Sequence, residues 1–107
     1  MKLLFTDLDG TLLNRDKRIS AEDLEAISRA SRQGNITVIS TGRSLSSARP
    51  YIEELASVQN RCYAITYNGG LIYDCTARKV IYEKTIPLPY VKYIFAQAQK
   101  VHIHCQT

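Results

Sequence analysis

Short apolar runs alternate with a stretch of helical periodicity in the first forty residues of the chain. Residues 2–6 are mostly apolar and end abruptly at Asp-Leu-Asp-Gly, and residues 36–40 form a second, β-branched run. Such runs, without polar alternation, are typical of strands buried on both faces of a parallel sheet. Between them, apolar residues recur at helical spacing from Ser20, a good N-cap, to Gly34, a typical residue just beyond a helix end. The pattern predicts a right-handed, parallel strand–helix–strand unit.

Similar signals continue through the rest of the chain. A second helix follows residues 41–43, and Pro50 inside its pattern leaves two starts open, one near Arg49 and one earlier with a kink. After it we predict a third strand, a hairpin of two strands, a third helix and a final alternating strand. These elements cover residues 62–67, 71–74 with 79–83, 88–100 and 101–105. The predicted fold class is therefore α/β with a parallel sheet.

The last predicted strand, residues 101–105, begins a new element that no later segment covers. A domain ordinarily closes its core before its terminus, because an uncovered apolar strand gains little from burial. We therefore expect the chain to be the N-terminal part of a longer protein.

Composition narrows the partners that the chain is expected to have. Its 107 residues suffice for one compact domain, and 45% of them are hydrophobic. No window holds the roughly 18 uninterrupted apolar residues of a membrane span, so we expect no membrane partner. The opening apolar run is short before Asp7 and Asp9, so we expect no signal peptide. Lys and Arg exceed Asp and Glu by 14 to 10, but the arginines are scattered, so we expect an acidic small substrate and no nucleic acid.

The chain has three cysteines, an odd number without metal-binding spacing: Cys62, Cys75 and Cys105. Without a secretory signal, this usage predicts reduced thiols in a cytoplasmic protein. A disulfide between two of the three is the alternative.

Two carboxylates, Asp7 and Asp9, follow the first predicted strand directly. Ligands of open α/β sheets bind beyond the carboxyl ends of the strands. There, two carboxylates can share a divalent cation or divide the roles of nucleophile and acid–base. Gly10 permits the sharp turn that follows. The alternative is an Asp-rich turn that only caps the strand.

Two more polar loops are predicted at the same edge of the sheet. Thr41, Gly42 and Arg43 follow the second strand, and they offer a hydroxyl, a backbone N–H and a guanidinium that can bind a phosphate. Asn68 follows the third strand, in an Asn-Gly-Gly turn. Each loop alone also fits a simple connection between elements.

Together the three loops resemble those of a known family. Residues 3–13, with the sequence LLFTDLDGTLL, resemble the first motif of the haloacid dehalogenase (HAD) superfamily. The STGR sequence of residues 40–43 and the NGG of residues 68–70 narrow the resemblance to Cof-type, subfamily II phosphatases. It implies a Rossmann-like HAD core that is incomplete here, with its first three core strands, a hairpin and the start of a cap. Residues 1–80 would then belong to the core, and residues 81–107 to the linker and the beginning of a truncated cap domain.

The resemblance also implies residue roles. Asp7 would attack phosphorus and become an aspartyl-phosphate, while Asp9 would protonate the leaving alcohol and then activate water. A carboxylate oxygen of Asp7 and the backbone carbonyl of Asp9 would hold Mg²⁺. The implied phosphate-binding residues are Leu8 and Gly42 through backbone N–H groups, Thr41 through its hydroxyl, Arg43 and Asn68. Of these, Arg43 is expected to hold the loop more than to touch the substrate.

The resemblance leaves two functions open. The first is a Mg²⁺-dependent phosphatase of small phosphorylated metabolites, with sugar phosphates or a vitamin-related phosphate as the expected substrates. However, the family also needs a lysine from a later loop and an acidic segment that completes the metal site, and neither is found among these residues. The second function is therefore a truncated remnant without catalysis that self-associates and at most binds Mg²⁺ or phosphate weakly. A phosphoacceptor receiver domain is disfavoured, because Asn68 stands where its acceptor aspartate would be.

Self-association is expected for a physical reason. In the family the first strand is central, whereas here one of its edges would be bare. A flat apolar edge tends to pair with another chain. We expect this contact through residues 3–5 or through the strand predicted at residues 101–105.

Overall fold

A computed structural model describes residues 1–106 as a mixed α/β fold built on one five-stranded sheet. The predicted α/β class is confirmed, and most predicted elements lie within a residue of their expected ends. The strands are β1 (Leu3–Thr6), β2 (Ile36–Ser40), β3 (Tyr63–Thr66), β4 (Leu71–Asp74) and β5 (Lys79–Glu83). The helices are α1 (Ala21–Arg32), α2 (Leu45–Ala56) and α3 (Leu88–Lys100).

The strands lie in the order β1-β2-β3-β4-β5. The first three are parallel, and β4 and β5 extend the sheet as an antiparallel hairpin. Because consecutive parallel strands lie side by side, both right-handed crossovers bring their helices to the same face of the sheet. The carboxyl ends of β1, β2 and β3 consequently meet at one edge.

Helix boundaries follow local capping chemistry. Ser20 Oγ accepts a hydrogen bond from the Asp23 N–H at 3.1 Å, and Gly34, with φ of +80°, follows the end of α1 as predicted. Helix α2 takes the earlier of its two possible starts, because Ser44 Oγ accepts from the Ser47 N–H at 3.2 Å. Pro50 therefore lies inside α2 and not at its start.

The core lies between the sheet and helices α1 and α2. Ile39 of β2, Ala64 of β3 and Leu55 of α2 are fully buried. Leu8, from the loop after β1, is also fully buried and joins the same cluster. The loop that carries both candidate aspartates is thus anchored in the core by the residue between them.

The first strand lies at the edge of the sheet. Leu3, Leu4 and Phe5 are 51%, 61% and 56% exposed. The expectation of an exposed first-strand edge is confirmed for the part of the chain that the structure describes.

The strand predicted at residues 101–105 is wrong. The N–H of His102 donates to Gln99 O at 3.2 Å, and the N–H of Ile103 donates to Ala98 O at 2.9 Å. These bonds, with His102 in the left-handed region at φ of +55°, form the capping arrangement that ends α3. The apolar alternation misled the prediction because these backbone groups are used by the helix end and not by a sheet.

No helix within residues 1–106 combines the length and apolar character that a membrane crossing requires.

Candidate active site

Three loops meet at the carboxyl edge of the parallel strands. They begin at Asp7 after β1, at Thr41 after β2 and at Tyr67 after β3. Hydrogen bonds between residues far apart in sequence join the first loop to the second and the second to the third. The predicted convergence of these loops is therefore present in the fold.

The first loop turns sharply around its two carboxylates. Asp7 has an extended backbone, and its Oδ1 accepts a hydrogen bond from the Leu8 N–H at 2.7 Å. Gly10 adopts φ of +75°, a conformation that side chains disfavour. The Leu12 N–H then donates to Asp7 O at 3.2 Å. One carboxylate oxygen of Asp7 is thereby fixed in place, and the side chain stands at the exposed rim.

A tight turn brings a lysine back over the same loop. The short antiparallel bridge between Leu13 and Ile19 encloses this turn, and Asn14 Oδ1 accepts from two backbone N–H groups within it. Lys17, with φ of +58°, reaches Asp9 with its Nζ 2.9 Å from Oδ1. The sequence pattern does not indicate this role of Lys17. Residues 14–18 are polar and typical of a turn, but the direction of one side chain from a turn does not follow from the pattern.

Arg43 binds Asp9 through two hydrogen bonds. Its Nε donates to Asp9 Oδ2 and its Nη2 to Asp9 Oδ1, both at 2.7 Å. The guanidinium also lies 5.2 Å from the ring centre of Tyr51 on α2. Arg43 thus holds the first loop against the second, and Tyr51 limits its position.

These contacts fix the charge of Asp9. The Arg43 guanidinium, with a smaller contribution from Lys17, holds the pKa of the Asp9 carboxyl far below its usual range. Asp9 is therefore ionised at neutral pH in this conformation. A general acid must carry a proton, so Asp9 can donate one only after its contacts with Arg43 and Lys17 are loosened.

Replacing Arg43 with alanine is expected to raise the pKa of Asp9 towards the ordinary value of about 3.9, because the largest cause of its depression is removed. An NMR titration of the side-chain carboxyl carbon measures this shift. The matched control is Arg29→Ala, which removes one positive charge that pairs with Glu25 on α1. An unchanged pKa of Asp9 in the Arg43 variant would show that the ion pair is absent in solution.

The second and third loops are packed closely together. The Asn68 N–H donates to Thr41 O at 3.3 Å. A Cβ at Gly42 would lie 2.8 Å from Asn68 Oδ1, so any larger residue there would displace the Asn68 side chain. Asn68 itself adopts φ of +53°, which asparagine tolerates better than most residues. The turn interpretation of Asn-Gly-Gly and a place for Asn68 beside the second loop are thus compatible.

The hydroxyl of Thr41 is buried but keeps its proton available. Thr41 is 6% exposed, and its Oγ1 accepts a hydrogen bond from the Arg43 N–H at 3.2 Å. Because the hydroxyl acts there as acceptor, its own O–H can still donate to a ligand. The structure thus places Asp7, Asp9, Thr41 and Arg43 in adjoining loops, as the sequence predicts.

The donor set at the first loop is compatible with Mg²⁺. Asp7 offers a carboxylate and Asp9 a backbone carbonyl, both oxygen ligands of the kind this ion prefers. Mg²⁺ commonly takes only one or two carboxylates and completes its shell with water and substrate phosphate. Within residues 1–106, no group of three His, Cys, Asp or Glu side chains is placed to hold a metal ion.

Comparison with known proteins places the chain among hydrolases. The family model of haloacid dehalogenase-like hydrolases matches residues 4–107. The chain is 43% identical over 74 residues to 5-amino-6-(5-phospho-D-ribitylamino)uracil phosphatase YcsE of Bacillus subtilis, covering 69% of this chain and 28% of that protein.

Solved structures agree on the fold. A haloacid dehalogenase-like hydrolase from Bacteroides thetaiotaomicron superposes with a TM-score of 0.82 at 33% identity, covering 94% of this chain and 38% of that one. The HAD subclass IIB sugar phosphatase BT4131 superposes with a TM-score of 0.69 at 30% identity, with 94% and 38% covered. The chain spans 40% and 32% of the lengths of two further curated relatives that it matches.

Proposed function

Since the chain belongs to the haloacid dehalogenase-like hydrolases, we propose that its protein is a Mg²⁺-dependent phosphatase of small phosphorylated metabolites, with sugar phosphates as the main substrates. The observation that carries the proposal is the loop from Asp7 to Gly10, held by Arg43 against the loop of the second strand. We also propose that residues 1–80 belong to the core domain and residues 81–107 to the linker and the start of a cap.

Asp7 is the proposed nucleophile. One of its oxygens accepts from the Leu8 N–H, which leaves the other free to attack phosphorus. The new bond joins this oxygen to phosphorus while the ester P–O bond breaks, and the leaving oxygen takes a proton from Asp9. In the second step, Asp9 removes a proton from water, which attacks phosphorus and releases phosphate from Asp7.

The proposed metal would be held by the Asp7 carboxylate and the Asp9 carbonyl. When bound, Mg²⁺ would lower the repulsion between a carboxylate and an approaching phosphate dianion. The Gly42 N–H and the Thr41 hydroxyl are the proposed donors to phosphoryl oxygens. The Leu8 N–H, which donates to Asp7 Oδ1 in this structure, would join them by turning to the phosphate when it binds. They would orient the phosphorus towards Asp7.

Arg43 and Lys17 connect substrate binding to the protonation of Asp9. Both side chains bind Asp9 at 2.9 Å or less, and both can bind a phosphate oxygen instead. A phosphate dianion attracts both cations more strongly than a single carboxylate does. We propose that binding of the phosphoryl group draws them from Asp9, whose pKa then rises so that it can carry the proton.

The substrate class is supported by the relatives. YcsE is named for a phosphorylated ribityl compound, and BT4131 is described as a sugar phosphatase. A site at the open edge of a sheet, with several phosphate donors, suits a ligand recognised mainly by its phosphate. A cytoplasmic location is proposed as well, because Cys62, Cys75 and Cys105 are free thiols.

A second candidate function is binding without catalysis. It is favoured by the state of Asp9, which Arg43 and Lys17 hold ionised. If the two cations stay on Asp9 when phosphate binds, the leaving group receives no proton. The chain would then bind Mg²⁺ or phosphate weakly and turn nothing over.

Phosphate release from sugar phosphates and from p-nitrophenyl phosphate, measured with Mg²⁺ and with EDTA, tests the proposal. We expect that release by the protein requires Mg²⁺ and that Asp16→Asn, a substitution in the neighbouring exposed turn, leaves it unchanged. Equal release in EDTA would contradict the Mg²⁺ dependence. Binding of Mg²⁺ or phosphate by calorimetry, without any release, would favour the second candidate.

We further propose that two copies of the chain pair through the edge of β1. The Lys2 carbonyl accepts from the Ile36 N–H at 3.0 Å, so strand alternation directs the backbone groups of Leu3 and Phe5 away from β2. These groups can form hydrogen bonds with a second strand, and the exposed apolar side chains beside them would be covered. The alternative contact through residues 101–105 is withdrawn, because no strand forms there.

Phe5→Lys is expected to abolish this association, because a charge at an edge strand disfavours pairing. Sedimentation velocity over a range of concentrations should show a rising mean mass for the unaltered chain and a monomer for the variant. The matched control is Ile94→Lys, at an exposed position on α3. A clean monomer of the unaltered chain at high concentration would refute the pairing.

A further inference from the structure

Two cysteines outside the candidate active site lie opposite each other on neighbouring strands. Tyr63 of β3 pairs with Asp74 of β4, and the next residues outward are Cys62 and Cys75. The Cys75 N–H donates to Cys62 O at 2.9 Å, and the Cys62 N–H donates to Thr76 Oγ1 at 3.1 Å, so one backbone hydrogen bond joins this pair just beyond the ladder. Hydrogen-bonded antiparallel pairs have Cα atoms about 5.5 Å apart, which lies within the range that a disulfide spans.

Both sulfur atoms lie on the face of the sheet that α2 covers. Cys62 Sγ is 3.9 Å from Ile52 O, and Cys75 lines a cavity together with Ile52. The Cys62 thiol donates to this Ile52 carbonyl, and the Cys75 thiol donates to Tyr73 O at 3.8 Å. Because opposite residues of antiparallel strands share one face of the sheet, the two side chains are neighbours there, and both thiols are free.

A cavity beside α2 gives a small molecule access to Cys75. The cavity has a volume of about 350 Å³, and its lining includes Cys75, Arg49, Arg78 and Glu53. Cys75 is 9% exposed, whereas Cys62 is 1% exposed. The two guanidiniums outweigh the one carboxylate, so an anionic reagent is favoured at the mouth of the cavity.

We propose that Cys62 and Cys75 form a reversible redox site, at which an anionic low-molecular-weight disulfide converts the two thiols into one cross-strand disulfide. Cys75, as the more accessible thiol, gives up its proton and attacks one sulfur of the reagent; the reagent S–S bond breaks, and the other sulfur leaves as a thiolate. Cys62 then gives up its proton and attacks the Cys75 sulfur of the mixed disulfide, releasing the second reagent thiolate. The protein loses two protons and two electrons, and the reagent disulfide is reduced to two thiols.

The bond would fasten the hairpin at the end of β3 remote from the candidate active site. Cys62 precedes β3, whereas Asn68 follows it. Closing the loop of residues 63–74 restricts the unfolded chain, so the oxidised form should have a Tm higher by roughly 5–15 °C. The site is therefore expected to change stability in response to the redox state.

The test exposes the Cys105→Ser chain to glutathione disulfide and then alkylates the remaining thiols under denaturing conditions. We expect no alkylated cysteine, a mass lower by two hydrogens, a peptide that links residues 62 and 75, and reversal by dithiothreitol. The same chain with Cys62→Ser should stop at a glutathione adduct on Cys75. Two alkylated cysteines in the Cys105→Ser chain after exposure, or an adduct without the linked peptide, would overturn the proposal.

The preference for an anionic reagent is tested separately, by comparing rates of oxidation with an anionic and a cationic disulfide. Oxidation by anionic glutathione disulfide should slow several-fold in Arg49→Gln with Arg78→Gln, and oxidation by cationic cystamine should not slow. Equal slowing with both reagents, or none with either, would contradict the preference for an anionic disulfide. A Tm that does not change on oxidation would overturn the proposed effect on stability.

Discussion

Asp7→Asn is expected to lower the rate of phosphate release at least about 10³-fold, because it removes the only group proposed to form a bond with phosphorus. The asparagine amide can still accept the hydrogen bond from the Leu8 N–H, so the loop should keep its shape. An amide oxygen is a much weaker nucleophile than a carboxylate. The loss should therefore fall on kcat in steady-state kinetics, with the fold unchanged by circular dichroism.

The comparison with Asp9 makes this prediction specific. Asp9→Asn removes the ion pairs with Arg43 and Lys17 as well as the proposed proton transfer, so it should change both kcat and KM. Phosphoryl transfer to Asp7 from a donor with a good leaving group needs no proton and should survive in that variant. If the Asp7→Asn variant retained turnover, Asp7 would not be the nucleophile.

Leu8→Ala is expected to lower the free energy of unfolding by about 3–5 kcal/mol, because it opens a cavity where no solvent reaches. Leu8 is fully buried and packs in the core with residues of α1, α2 and β2. Urea denaturation followed by circular dichroism measures the change. The variant should also lose activity, since its neighbours are the two aspartates of the loop.

Leu4→Ala is the matched control, because this substitution removes the same atoms from a side chain that is 61% exposed. Its cost should be below about 1 kcal/mol. If Leu8→Ala does not fold, Leu8→Met retains the volume and should cost less than about 1.5 kcal/mol. Equal losses for Leu8→Ala and Leu4→Ala would show that the loop is not anchored in the core.

Most elements of the fold could be predicted because their signals are local. Helix α1 has a serine cap at one end and Gly34 at the other, and β2 is a β-branched run. Pro50 left the start of α2 open, because the strength of the Ser44 cap against the cost of an internal proline cannot be read from the pattern. The prediction of a strand at residues 101–105 was wrong for a related reason. Apolar alternation does not reveal whether backbone groups bond to a strand or to the preceding helix.

The position of the candidate site could also be predicted, since the carboxyl ends of adjacent parallel strands must meet. The pairing of Arg43 with Asp9 could not, because it joins residues from separate loops and depends on the angle of two side chains. Lys17 was missed because its reach to Asp9 follows from a left-handed backbone conformation within a five-residue turn. The topology therefore predicts which loops meet, whereas the ion pairs between them are seen only in the three-dimensional structure.

The most direct test of the central claim is to locate the phosphoryl group after the chain reacts with a small phosphodonor such as acetyl phosphate. The reaction is run with Mg²⁺ and stopped with acid, and the chain is then digested and analysed by mass spectrometry. We expect one phosphoryl group on Asp7, labile to hydroxylamine as an acyl phosphate is, and absent in Asp7→Asn. Phosphorylation at another residue, or none in the unaltered chain, would contradict the assignment of Asp7 as the nucleophile.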